Sequence, residues 1–413
     1  MGSPYFYGYN IVASCFIIQA ISIGAMFTYG VFFNEFQTEF GWSRAMVSGA
    51  SSFAFLIMGA VGVLAGRLND KIGPRVIVTA SSISLGIGYL LMSRLAELWH
   101  LYLLYGLLVG IGFSTHDVIT LSTVARWFVK RRGIITGIVK AGTGFGQLFV
   151  PLVVTATISA FGWRTSYLII GAAGLIMLSA AAQVLRRDPL EMGLLPDGNG
   201  QASPETNTGS VEIGVTLALA SRTTQFWIMC VAEFTILFCL LTMIVHIVPH
   251  AVDLGLSSAV AAGVLSTIGG VSMVGRLVMG AVNDRVGGKR SLVICFVVLL
   301  VGLVWLQWAD RAWMLFLFGA IYGFAHGGFF TVVSPTVAEL FGTGSHGLLF
   351  GVILFWGTIG GAIGPLSAGW IYDLTGSYSI LFLLLTGVSI VGFAFILLLR
   401  PIKGGMGHLL KSE

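Results

Sequence analysis

Gly66-Arg67-Leu68-Asn69-Asp70-Lys71-Ile72-Gly73-Pro74-Arg75 lies between two long apolar runs, and its pattern returns later as Gly280-Ala281-Val282-Asn283-Asp284-Arg285-Val286-Gly287-Gly288-Lys289-Arg290. Gly66, Asn69, Asp70 and Gly73 recur as Gly280, Asn283, Asp284 and Gly287, each 214 positions on (70 to 284, for example). The same offset carries Gly41 and Ser43 onto Gly255 and Ser257, and Gly162 onto Gly376. It also carries Gly133, Gly137, Gly146 and Pro151 onto Gly347, Gly351, Gly360 and Pro365. One offset shared by so many landmarks marks a duplicated unit.

The surroundings of the two copies state what kind of unit it is. Of 413 residues, 56% are hydrophobic and 9% charged, with mean hydropathy +0.93. Soluble domains carry about 25% charged residues, which excludes a water-soluble enzyme. At roughly 20 residues per spanning helix plus a loop, the length predicts about twelve spans. Apolar runs place them near 9–33, 45–66, 75–94, 99–124, 133–159, 165–186, 224–249, 257–282, 290–309, 313–339, 347–370 and 378–399. A displacement by six spans preserves orientation. The expectation is therefore an all-α integral membrane protein of twelve transmembrane helices in two parallel six-helix repeats, with a substrate between the repeats near the midplane. The bundles are expected at 1–187 and 224–413. The Gly-, Pro-, Asn- and Ser-rich stretch 188–223 reads as a mobile cytoplasmic linker.

Charge orients the chain. Sixteen Lys and Arg fall on the side holding both termini and the loops at 67–75, 125–132, 186–223 and 283–290, Lys403 and Lys411 among them. The other side holds Arg44, Arg94, Arg164 and Arg311. This asymmetry predicts cytoplasmic termini. Tyr5, Tyr7 and Tyr9 read as an interfacial anchor in place of a cleavable signal. The four cysteines lie in apolar runs without CxxC spacing, so neither disulfides nor a metal site is expected. No GxxxxGK[ST] loop or HExxH motif is present, so no catalytic residues and no cofactor are expected, and the energy source must be a gradient. A net charge of +5 suggests no nucleic-acid partner.

The ten-residue loop resembles the loop signature of the major facilitator superfamily. Tyr7-Gly8-Tyr9, Gly41-Trp42-Ser43-Arg44, Arg126-Trp127-Phe128 with Arg131 and Gly133, and Gly162-Trp163-Arg164 are similar to the monocarboxylate transporter family, in its bacterial branch. The resemblance implies proton-linked movement of L-lactate, pyruvate or a similar short acid across a bacterial inner membrane, by a protein working as a monomer in the bilayer. A related branch exchanges oxalate for formate and is the alternative. Its lysine in the eleventh span has no match, because residues 347–370 hold no Lys or Arg.

Duplication separates scaffold from site. Asp70 beside Arg75 and Asp284 beside Lys289 occur in both repeats, and are expected to form an electrostatic latch between neighbouring helices. Arg276 has no counterpart, since its repeat position is Gly62. An arginine in the bilayer interior costs about 2.5–3.5 kcal/mol on insertion scales. A guanidinium gives a carboxylate two parallel hydrogen bonds, so Arg276 is the expected substrate anchor. An internal ion pair with Glu233 is the alternative. The resemblance places a substrate-binding arginine here, and an aspartate one turn before it in animal members; that position is Ser272. Asp117, with Lys140 at similar depth on the next span, is then the expected proton-coupling site, unless the two merely neutralise each other. Glu233 is a second proton candidate. His326 is expected in the cavity, and Tyr29, Phe330 and Phe355 are candidates for its apolar wall, with core packing the alternative for each.

Overall fold

The computed structural model describes residues 5–198 and 215–400. Linker residues 199–214 and the chain ends, with Lys403 and Lys411, lie outside the described residues. The architecture is all-α: among the described residues, eleven helical runs are long and apolar enough to cross a membrane. One of them, Arg132–Val184, changes direction at Gly162, whose φ of 77° interrupts the helix, and so supplies two spans. The twelve are α1 (Gly8–Phe40), α2 (Arg44–Ile72), α3 (Pro74–Met92), α4 (Leu98–Trp127), α5 (132–161), α6 (163–184), α7 (Thr224–Asp253), α8 (Ser258–Val286), α9 (Gly288–Leu306), α10 (Ala312–Phe341), α11 (His346–Thr375) and α12 (Ser379–Leu398).

Local chemistry sets the helix ends. Ser43 accepts the Met46 N–H at 3.2 Å to start α2, and Ser257 accepts the Val260 N–H at 3.4 Å to start α8. Both helices stop at glycines with positive φ, Gly73 at 86° and Gly287 at 83°. Within α4, residues Tyr102–Val109 form a π-helix, and the span breaks again at Ser114-Thr115 before a new helix starts at His116.

The chain forms two compact units. One comprises 1–130, 138–213 and 343–351; the other comprises 131–137, 214–342 and 352–413. The first has an aromatic core in which Phe32 stacks on Tyr167 at 3.9 Å and Tyr29 meets Tyr105, tilted, at 4.2 Å. In the second, Phe296 meets Phe329 edge-on at 4.8 Å. Close helix packing repeats in both. A Cβ at Gly146 would land on the Ala20 carbonyl, and one at Gly360 on the Phe234 carbonyl, the same contact 214 positions on. Large apolar side chains such as Leu152 and Leu366 stay exposed, as expected of helices facing lipid.

The start of the stretch expected to be a mobile linker is folded. Pro189–Met192 and Pro196–Gly198 make short 3-10 turns. The Asp197 carboxylate accepts the Val129 N–H at 3.2 Å and the Lys130 N–H at 2.9 Å, and the Phe6 ring packs on Trp127 and Phe128 nearby. Composition alone missed this because prolines and a left-handed aspartate also build tight turns. Val215 is fully buried and donates to the Phe341 carbonyl at 3.0 Å.

Candidate functional site

In the first unit the break in α4 places Asp117 in the first turn of the helix His116–Trp127, inside the span. The positive end of that helix favours a carboxylate there. Asp117 Oδ1 accepts from Lys140 Nζ of α5 at 2.6 Å and from Gln19 Nε2 of α1 at 2.9 Å. Asp117 Oδ2 faces His116 Nε2 at 3.4 Å. The other ring nitrogen, Nδ1, lies 2.5 Å from the Phe113 carbonyl oxygen. Gln19 Nε2 also reaches the His116 carbonyl at 3.0 Å and Thr120 Oγ1 at 2.9 Å, while the Thr120 hydroxyl donates to the His116 carbonyl. Gln19, His116 and Lys140 are all buried. Lys140 and Asp117, expected at similar depth, therefore meet.

In the second unit Arg276 and Glu233 are both 3% exposed. Arg276 occupies the inner face of α8 with Ser272 one turn before it, and Ser272 Oγ lies 3.0 Å from His326 Nδ1 on α10. The His326 ring meets Phe330 at 4.9 Å and Tyr322 at 6.1 Å. Glu233 of α7 packs its stem where Gly357 of α11 leaves room, a Cβ there falling 2.8 Å from Glu233 Cγ. Phe355 is half-buried on α11. Tyr29 stands apart from these groups. Its hydroxyl donates to the Val47 carbonyl at 2.6 Å and its ring belongs to the aromatic core of the first unit, so packing accounts for it.

The duplicated aspartates each bond the start of another helix. Asp70 Oδ1 accepts from Arg126 Nη2 at 2.8 Å, and its carboxylate takes the Gly347 and Leu348 N–H groups at 3.1 and 2.8 Å within the first unit. Asp284 takes the Gly133 and Ile134 N–H groups at 2.5 and 2.9 Å within the second. Each aspartate caps a helix start, where backbone N–H groups lack intrahelical acceptors. Arg75 and Lys289 turn elsewhere: Arg75 Nε donates to Gln183 Oε1 at 2.6 Å and Lys289 Nζ to the Leu397 carbonyl at 2.8 Å. Both thus reach the closing helix of their own unit, at positions 214 apart. Both aspartates thus join neighbouring helices, through helix-end N–H groups and, at Asp70, through Arg126, while Arg75 and Lys289 bond the closing helices. Helix-end N–H groups give a carboxylate a better-aimed donor set than a mobile surface cation.

Three contributors escaped sequence reasoning. Arg126 reads as one of a basic turn, although its repeat position is Leu340 and that asymmetry was available. Gln19 is uncharged, and its contact with Asp117 spans 98 positions. His116 has no feature in the sequence, beyond lying next to Asp117, that marks it.

Comparison with known proteins agrees with this architecture. The sequence profile of the Major Facilitator Superfamily matches residues 15–282 and 247–408. The chain is 27% identical to monocarboxylate transporter 12 of Mus musculus over 412 residues, covering 94% of this chain and 83% of that protein. It is 28% identical to the uncharacterized MFS-type transporter YhjX of Escherichia coli (strain K12) over 345 residues, covering 82% of each. The solved structure of the proton:xylose symporter XylE superposes with a TM-score of 0.74 at 14% identity, covering 98% of both chains, which is a likeness of fold. With the profile matched across nearly all of its length and twelve apolar helices in two bundles, this chain is a multi-pass membrane transporter that belongs to the Major Facilitator Superfamily.

Proposed function

We propose that the protein is a secondary transporter that moves a small monocarboxylate, of the L-lactate or pyruvate class, together with a proton by alternating access. The observation that carries the reading is Arg276, a guanidinium 3% exposed within an apolar helix and absent from the equivalent position of the other repeat. A short acid offers one carboxylate, which a guanidinium engages with two parallel hydrogen bonds. The Ser272–His326 pair one turn away supplies polar groups for a hydroxyl or keto oxygen, and Phe330 and Phe355 an apolar wall. Asp117 with Lys140 is the coupling site in this reading, and Glu233 the second acid. The likeness to proteins named monocarboxylate transporters supports the substrate class. The repeats run 1–187 and 224–413 about the 188–223 connection. The excess of Lys and Arg on the side of the termini supports a cytoplasmic location for both, and the E. coli relative supports a bacterial inner membrane.

The test is uptake of labelled L-lactate and pyruvate into proteoliposomes with an inward proton gradient. Wild-type protein accumulates label without an internal counter-anion. Arg276→Ala abolishes accumulation while remaining monodisperse, and Arg276→Lys, which keeps the charge and loses the fork, raises KM about tenfold or more. Uptake by Arg276→Ala at the wild-type rate rejects the anchor, and a strict need for internal anion turns the reading to exchange.

A further inference from the structure

The Asp117 carboxylate has two edges with different neighbours. Oδ1 is held by two fixed donors, Lys140 Nζ at 2.6 Å and Gln19 Nε2 at 2.9 Å. Oδ2 faces the His116 ring, at 3.4 Å from Nε2. Phe113 O is a carbonyl and can only accept, so His116 Nδ1, 2.5 Å away, carries a hydrogen. This leaves Nε2 as the ring's titrating position. With no proton on the Nε2–Oδ2 edge, two lone pairs face each other. With one proton there, on Nε2 or on Oδ2, the edge becomes a hydrogen bond in either arrangement. The edge therefore stores one proton.

We infer that His116 is a proton-carrying residue of this transporter: the transported proton resides on the edge between His116 Nε2 and Asp117 Oδ2, with Lys140 and Gln19 as positioning residues. The inference deepens the proposed symport and rests on it. Lys140 and an unloaded Asp117 sum to zero charge, and loading one proton makes the cluster +1. A cluster that becomes cationic on loading favours the arrival of one anion, which links one proton to one monocarboxylate. The proton enters on Nε2, the Nδ1–H stays donated to the Phe113 carbonyl throughout, and the Nε2–Oδ2 proton departs to the opposite side.

The cluster and the residues beside it are met from four helices. From α1 come Gln19 and Cys15, whose thiol donates to the Thr120 carbonyl at 3.7 Å; from α5 comes Lys140. From α3 comes Ser81, whose hydroxyl is 2.7 Å from that of Thr115, and from α4 itself comes Asp117. Asp117 is the charged group that faces the ring, and Lys140 bonds its other oxygen.

The experiment uses the full chain in liposomes with labelled L-lactate, comparing wild type, His116→Gln and His116→Asn in two modes. Counterflow against internal lactate needs no net proton movement; accumulation under a proton gradient does. The expected result is counterflow that stays level over pH 5–8, within about twofold of the wild-type maximum, where the wild-type profile steps, together with gradient-driven accumulation reduced at least about tenfold. Accumulation and a pH profile equal to wild type in either variant overturn the inference. If both variants lose counterflow as well, the wild-type profile decides: a step between about pH 5 and 8 sustains the assignment and a flat profile overturns it. Wild-type protein that moves no lactate in either mode removes the transport reading itself, an outcome distinct from failure of His116 alone.

Discussion

Arg126 exposes 1% of its side chain and Asp70 10%, so their 2.8 Å contact is a buried ion pair. Removing one partner of such a pair costs about 3–5 kcal/mol, because the remaining charge stays out of water. Arg126→Leu is therefore expected to lower the thermal midpoint of the detergent-solubilised protein strongly. Arg75→Ala, at an exposed side chain, should stay within about 0.5 kcal/mol. Scanning fluorimetry of both variants checks this; equal losses would mean that Gly347 and Leu348 alone hold Asp70. Much at this scale was readable in advance. Arg276 stood out because the duplicated repeat has Gly62 in its place, and the meeting of Asp117 with Lys140 followed from their similar depth on successive spans. The rest was hidden for physical reasons. Gln19 carries no charge to mark it, and a surface-looking arginine gives no sign of which helix end it will face.

Helices approach each other closely at particular glycines in both units. Gly146 lies under the Ala20 carbonyl and Gly360 under the Phe234 carbonyl, with no space for a Cβ. Overpacking a tight contact costs about 1–3 kcal/mol, so Gly146→Leu and Gly360→Leu are each expected to reduce the thermal midpoint and the yield of monodisperse protein. Gly174→Ala is the control, because the nearest atom to a Cβ there is Leu85 Cδ2 at 3.5 Å. Size-exclusion profiles after graded heating measure the difference. Element positions were legible because a run of twenty apolar residues has one interpretation in a bilayer. The 3-10 turns at Pro189–Met192 and Pro196–Gly198 were not, since their anchor is a backbone pair, Val129 and Lys130, contributed by another part of the chain.

At the scale of the molecule, the offset of 214 seen in the sequence returns as paired contacts. Asp70 with Gly347 and Leu348 mirrors Asp284 with Gly133 and Ile134, and Arg75 with Gln183 mirrors Lys289 with Leu397. Symmetry of this kind preserves a scaffold, and the proposed chemistry sits where it fails. One proton moving with one monocarboxylate transfers no net charge, whereas a single unbalanced charge would feel about 2.3 kcal/mol per 100 mV. Lactate accumulation is therefore expected to be unchanged when a potassium–valinomycin clamp sets the potential at 0 or −100 mV; a several-fold dependence would require a different stoichiometry.

The π-helix at Tyr102–Val109 gives α4 a winding of its own just ahead of the break at Ser114-Thr115. Each residue added to or lost from an ordinary helix rotates everything beyond it by about 100°. Were the eight residues to rewind to the commoner pitch, Asp117 and His116 would swing around the axis, away from Lys140 and Gln19. The wide turn thus works as a built-in angular offset, and the bearing of the charged cluster is decided some ten residues upstream by how loosely the backbone is coiled.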